Sequence, residues 1–311
     1  MNRISSWLGP RSVAALVVLA ATIVGTAVDP LTPNDVVRRG AFRVLQADFH
    51  AHTRLSDGFL SPFGLVRQAR RRGLDVLSIT EHNLVFPGQL GKAWADAIGG
   101  PMIIPGEEIT SGRYHVIAVG MHDRVLPSSS LDSVIEQVHA QGAVAIAAHP
   151  VKLFWPSLVP SRAHFDGAEL MHPIALQPQR GPGWRWDEMR TFFDEAIDNG
   201  KPLAAIGSSD YHFFSILGLC RTYVFVDRDG PDAVLDAIRD RRTVVRLPSG
   251  ELDGRRDLVD LLKSEPLSEV DHDYSYRGVS SLDRVARLLG VLALFALWML
   301  RRREPEISSL P

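Results

Sequence analysis

Cysteine is almost missing from this chain: Cys220 is the only one in 311 residues. That excludes an internal disulfide framework and any thiolate-rich metal site, and it leaves Cys220 as a small apolar filler rather than a nucleophile. A surplus of charge is missing as well, since 34 Lys and Arg face 36 Asp and Glu for a formal net charge of −2. With no basic excess, no stable nucleic-acid partner is expected. Internal repeats and low-complexity tracts are also absent, which sets aside repeat architectures and disordered arrays. What remains is an ordinary globular composition, 45% hydrophobic and 23% charged, enough for one α/β barrel or two smaller domains.

Both ends of the chain carry long stretches without charge. Residues 12–28 carry none, with Arg3 and Arg11 before them and Asp29-Pro30 after. This reads as a signal peptide or N-terminal membrane anchor over 1–28, and Gly25-Thr26-Ala27 offers only a weak cleavage signal. Leu288 to Leu300 is a second apolar run, flanked by Arg284 and Arg287 and closed by Arg301-Arg302-Arg303. At 1.5 Å per residue it covers roughly 20 Å, short of a hydrocarbon core of about 30 Å. A C-terminal membrane segment over 285–303 therefore requires snorkelling arginines or a thinned bilayer. The alternative is an amphipathic or buried terminal helix. Arginines at both ends place both termini in the cytoplasm by the positive-inside rule. The expected location is thus membrane-anchored, with the middle of the chain extracytoplasmic (periplasmic or at the cell surface). Residues 249–284, rich in Ser, Asp, Glu and Gly, read as a polar stalk.

Between 42 and 248 apolar runs alternate with helical periodicity. Strands are expected at 42–45, 74–79, 102–104, 115–119, 143–148, 165–170, 202–207, 222–226 and 243–245. Helices are expected from Ser61-Pro62 to Gly73, over 88–98, 130–141 and 184–199, and from Pro231 to Arg239. About seven strand–helix alternations point to a parallel sheet or a β/α barrel.

Of eleven histidines, six sit at strand termini: His50, His52, His82, His115, His149 and His212. Asp-x-His-x-His after an apolar run puts two imidazoles on alternate positions, so both point the same way, as two ligands of one metal must. His115 opens its strand where the other five follow theirs, so its approach is the least determined. Asp57, Glu108 and Asp210 accompany them, and imidazoles with carboxylates suit Zn, Mn or Fe, in two- or three-metal sites where a carboxylate bridges. His122, His139, His164, His172 and His272 read as ordinary polar residues, with His172 set apart because it follows a strand. Phe154-Trp155 is either a substrate-facing wall or a packing contact.

Five motifs in order, Asp48-x-His50-x-His52-Thr53 with Ser56-Asp57-Gly58, Ile79-Thr80-Glu81-His82-Asn83, Gly106-x-Glu108-Ile109-Thr110, Ala148-His149-Pro150 and Gly207-Ser208-Ser209-Asp210-Tyr211-His212, resemble those of the polymerase and histidinol phosphatase (PHP) family. The resemblance covers about 44–246. It implies an α/β fold, a distorted seven-stranded β/α barrel over 42–248, with the hydrophobic segments outside it, and two or three divalent cations. By motif, His50, His52, Glu108 and Asp210 would hold one cation, Glu108 with His115 and His149 a second, and Asp57, His82 and His212 a third. Glu81 departs from the Asp more usual there. The implied activity is hydrolysis of a small-molecule phosphoester by a water that the metals make nucleophilic. Asp210 or His212 would supply the leaving-group proton. Arg113, Lys152 and Arg180 are candidate phosphate contacts, with solvated surface charge as the ordinary alternative. Two rival readings use the same site: a carboxyl or carbamate ester hydrolase, and a metal-binding surface module without catalysis.

Overall fold

The computed structural model describes residues 9–27, 34–172, 185–212, 216–264, 267 and 281–301. Each of the nine apolar runs expected to be a strand is one. In chain order the elements begin with α1 (Pro10–Ala27), β1 (Val37–Arg39), β2 (Phe42–Asp48), α2 (Pro62–Arg71), β3 (Val76–Ile79), α3 (Phe86–Ile98) and β4 (Met102–Thr110). There follow β5 (His115–Val119), α4 (Leu131–His139), β6 (Val144–Ala147), the short α5 (Trp155–Leu158), β7 (Gly167–Met171), α6 (Trp186–Asp198) and β8 (Ala204–Gly207). The last are β9 (Arg221–Val226), α7 (Pro231–Arg239), β10 (Thr243–Arg246), β11 (Leu252–Gly254), α8 (Arg256–Ser264) and α9 (Ser281–Arg301).

Residues 31–270 make one unit, built on a single sheet in the order β11-β10-β9-β2-β3-β4-β5-β6-β7-β8, with β1 also on β2. The strands β2-β3-β4 are parallel, as are β6-β7-β8. Between these two runs β5 is antiparallel to both neighbours. The sheet curls into a nearly closed barrel. Between β8 and β9 the join is a side chain rather than a ladder: the Thr222 hydroxyl accepts from the Gly207 N–H at 3.0 Å and donates to the Gly207 carbonyl at 2.8 Å. A Cβ on Gly207 would lie 2.6 Å from Val245, so only glycine allows this approach.

The expected seven strands become eleven. β4 and β5 form a hairpin with no crossover helix, β9 and β10 run antiparallel beyond β2, and β1 and β11 are two short strands that the expected nine did not include. Residues 249–264, expected as part of a polar stalk, form β11 and α8 instead. Leu258, Val259 and Leu262 bury against Val44, Tyr223, Phe225 and Val244.

Local signals explain the helices that brace the barrel. Ser61 accepts a hydrogen bond from the Gly64 N–H, Pro62 opens α2, and Leu65, Val66 and Ala69 bury one face. Ser130 caps α4 through the Ser133 N–H. Inside the barrel Leu45, Val76, Ile104, Ile117, Ile146, Ile206 and Val224 pack with Val234, Leu235 and Ile238 of α7. This apolar filling leaves the C-terminal ends of the parallel strands for polar groups.

The second unit joins the two ends of the chain. In it α1 and α9 pack along each other, with Ala14, Ala286 and Ala293 buried and a Cβ on Gly290 only 3.2 Å from Ala21. The Arg11 guanidinium donates to the Leu300 carbonyl at 2.8 Å. Large apolar side chains point the other way: Leu16, Leu19, Ile23, Leu288, Val291, Leu292 and Phe295 are all exposed. Among the described residues no helix is long and apolar enough to cross a membrane.

Candidate metal centre

β2 ends at Asp48, and His50 and His52 leave it on alternate residues, both fully buried. His82 follows β3, Glu108 lies in β4, His149 follows β6, and Asp210 and His212 follow β8. His115 begins its strand yet reaches the same place, because β5 runs antiparallel and presents its N-terminal end where its neighbours present their C-terminal ends. Three groups each bring one ligand atom per residue within 4.8 Å of one another: His52, Asp57, His82 and His212; His50, His52 and Asp210; His50, Glu108 and His149. His115 joins through Glu108, whose Oε1 is 2.8 Å from its Nδ1. All nine expected donors therefore lie at one mouth, with His50 and His52 each serving two groups.

The spacing suits cations. His50 Nε2 and His52 Nε2 are 3.0 Å apart, and Asp210 Oδ1 lies 3.3 Å and 3.5 Å from them. Ligands of a tetrahedral ion with bonds of about 2.1 Å stand about 3.4 Å apart. Glu108 reaches His149 Nε2 at 3.1 Å and His50 Nε2 at 3.5 Å through Oε1, and His82 Nδ1 at 2.7 Å and His52 Nε2 at 3.5 Å through Oε2. His52 Nδ1 is buried without a hydrogen-bond partner. Nitrogen and carboxylate donors without sulfur, packed this closely, fit divalent cations of the Zn, Mn or Fe type.

No protein-family model matches the sequence. An uncharacterized protein of Methanocaldococcus jannaschii is 28% identical over 117 residues, 34% of this chain and 68% of that one. Among solved structures, a two-domain protein from Bacteroides vulgatus containing a predicted PHP-like metal-dependent phosphoesterase superposes with a TM-score of 0.61. The match has 23% identity and covers 75% of this chain and 73% of the other. The barrel has a PHP-like fold. A looser likeness links it to an amidohydrolase from Chromobacterium violaceum (TM-score 0.44, 16% identity, 65% of this chain and 98% of that chain).

Within the PHP barrel, buried carboxylates hold the donors in place. Asp48 accepts from the backbone N–H groups of His50, Ser209 and Gly218, tying the end of β2 to the loop after β8. Glu81 accepts from the Thr53 N–H at 2.7 Å and from the Ser56 hydroxyl, and so fixes the turn that carries Asp57. Gly58 completes that turn: a Cβ there would sit 2.2 Å from the His52 carbonyl oxygen. Glu107 faces away from Glu108, as alternation along β4 requires, and accepts from the Val125 N–H. Burial pushes its carboxyl up to about 7. His149 and Asp210 adopt positive φ values of 26° and 43°, strained backbone of the kind found at functional sites.

The electrostatics of the cluster favour added positive charge. Burial opposes charging His50, but Asp210, Glu169 and Glu108 outweigh it and hold the imidazole well above its usual range. His82 and His212, also partly desolvated, are raised to about 9 and about 10 by hydrogen bonds to Asp57 with Glu108 and to Asp210 with Asp57. Burial dominates at His52 and His172 and lowers both to about 4. Burial works to raise Glu108 and Asp210, yet the surrounding imidazoles hold both carboxyls well below the usual range. Protons on the imidazoles thus do the work a cation would do.

Other candidates fall elsewhere. Arg113 is exposed on the β4–β5 turn, and the Lys152 ammonium lies 5.8 Å from the Trp155 ring centroid. Arg180 lies outside the described residues. Phe154 is buried and packs on the rings of His115 and His149 at 4.9 Å and 5.8 Å, a packing wall for two donors. His172 is fully buried, 5.9 Å ring to ring from His149. Sequence reasoning missed Glu169, whose one signal is a lone carboxylate in the otherwise uncharged Gly167–Met171 strand.

Proposed function

We propose that the protein is a metal-dependent phosphoesterase acting on small-molecule phosphoesters. The observation that carries this is the overlap of three donor groups through His50 and His52, which would hold cations side by side. Such cations, when bound, lower the pKa of water and neutralise phosphoryl oxygens during in-line displacement. The chain's own residues supply the rest. Glu108, His50, His52, His149 and Asp210 are buried and order the inner groups, while Asp57, His82 and His212 border the mouth. With only the inner groups filled, His212 lies 3.2 Å from Asp57 Oδ2 through Nε2 and 3.3 Å from Asp210 Oδ1 through Nδ1, and would be placed to donate a proton to the leaving oxygen. With the outer group filled, His212 is a ligand instead.

A carboxyl or carbamate ester hydrolase is the second reading. It draws support from exposed apolar residues on the donor-bearing loops (Leu55, Leu84, Phe86, Leu153). Purified protein loaded with Mn, Zn or Fe and offered phosphomonoesters, phosphodiesters and aryl carboxyl or carbamate esters separates the readings. Phosphoester turnover lost in His50→Ala is expected. Turnover of carboxyl or carbamate esters alone would move the protein to the second class. Bound metal without turnover of any ester would leave a surface-binding module.

The same reading includes attachment to a membrane, with the barrel on the extracytoplasmic side. Support comes from the terminal helix pair, which buries Ala14, Ala286 and Ala293 and turns Leu and Phe outward. Small residues inside and large apolar ones outside suit lipid better than water. Cell fractionation should recover the chain with membranes after alkaline carbonate washing; recovery in the soluble fraction would sink this part of the reading.

A further inference from the structure

β7 supplies none of the nine donors, yet it carries a fully buried carboxylate beside them. Glu169 is fully buried at the middle of β7. One oxygen, Oε1, accepts from His50 Nδ1 at 2.9 Å and from the Ser208 hydroxyl, and Oε2 accepts from the His149 backbone N–H at 2.6 Å. Those partners sit on three different staves. His50 follows β2, His149 follows β6, and Ser208 follows β8 two residues before Asp210.

We propose that Glu169 is a positioning residue that keeps the two inner donor groups assembled as one site. A neutral imidazole that donates from Nδ1 to a carboxylate must present Nε2 as its lone pair, and Nε2 is the His50 atom that faces His52, Glu108 and Asp210. The bond to the His149 N–H holds that residue at its positive φ, which brings His149 Nε2 to Glu108. The Ser208 contact anchors the backbone that leads to Asp210. One carboxylate therefore sets the tautomer of the donor the two groups share, the backbone of a second donor and the approach of a third. Glu169 touches neither the mouth nor a substrate, so its effect passes through the donors. The inference rests on the metal-site reading above.

The test is cation affinity, measured on purified protein by chelator competition with Zn and Mn, together with metal stoichiometry and thermal unfolding of the metal-free protein. Glu169→Gln keeps the side-chain volume and removes the charge. Its affinity should fall about 10- to 100-fold at the inner sites. Glu107→Gln, a buried carboxylate on β4 that faces away from the donors, should bind as the wild type does. If Glu169→Gln does not fold, Ser208→Ala, which removes one of the three donors to Glu169, should weaken binding by a smaller factor. Wild-type affinity in whichever of these two variants folds overturns the proposal. An equal loss in Glu107→Gln also overturns it, because it would reflect fold stability alone. Wild-type protein that binds no cation removes the metal-site reading and this inference together.

Discussion

Glu108→Gln should abolish catalysis, with kcat/KM for the best phosphoester falling by roughly a thousandfold or more, a loss of about 4 kcal/mol of transition-state stabilisation. The Glu108 carboxylate reaches five of the donors: Oε1 meets His50, His115 and His149, and Oε2 meets His52 and His82. The amide keeps the shape but offers an NH2 group where one oxygen now faces imidazole nitrogens. It also removes the charge that two adjacent cations would share. Metal analysis of the variant should show fewer ions per chain than the wild type. A variant that retains wild-type metal content and loses less than tenfold in kcat/KM would mean that Glu108 is not a shared ligand.

Removing the cations should change how stability depends on pH. In the metal-free protein His82 and His212 are raised to about 9 and about 10, and their side chains are only 28% and 24% exposed. A histidine with a raised folded-state pKa binds more protons folded than unfolded. Its contribution is complete below the ordinary value of about 6.5 and is lost as pH rises through the folded value. Metal-free protein should therefore lose stability progressively from about pH 6.5 to about pH 10. Glu108 and Asp210 have the opposite sign: their depressed values add stability above the ordinary carboxylate range, lost again in strong acid. With cations bound, the imidazoles are neutral ligands and the alkaline decline should flatten. Thermal unfolding from pH 6 to 10, with and without chelator, measures both arms. Parallel curves in the two conditions would show that the cluster does not exchange protons for metal.

Most of the barrel was legible because buried parallel strands are continuous apolar runs and each ends where a polar motif begins. The donors were legible for the same reason, since the mouth collects strand ends. Strand direction was not. His115 looked misplaced at the start of its run, and only the short Ser111–Tyr114 turn between β4 and β5 marks a hairpin instead of a crossover. Residues 249–264 looked like a stalk because Ser, Asp, Glu and Arg dominate, although Leu258, Val259 and Leu262 already have helical spacing. Glu169 was hidden because a buried carboxylate shows its partners only after chains far apart in sequence have come together.

The pairing of β2 with β9 also has a kinetic side. The strand that delivers His50 and His52 has β3 as one neighbour and β9 as the other, with Arg43 opposite Val226 and Ala47 opposite Thr222. Loop-closure entropy makes such a distant pairing slow to form. During synthesis β2 must wait, apolar and open along one edge, until the chain beyond residue 226 has emerged. Assembly of the first two donors is therefore tied to nearly the last event in folding, and the nascent barrel is most exposed to aggregation just before its metal centre can exist.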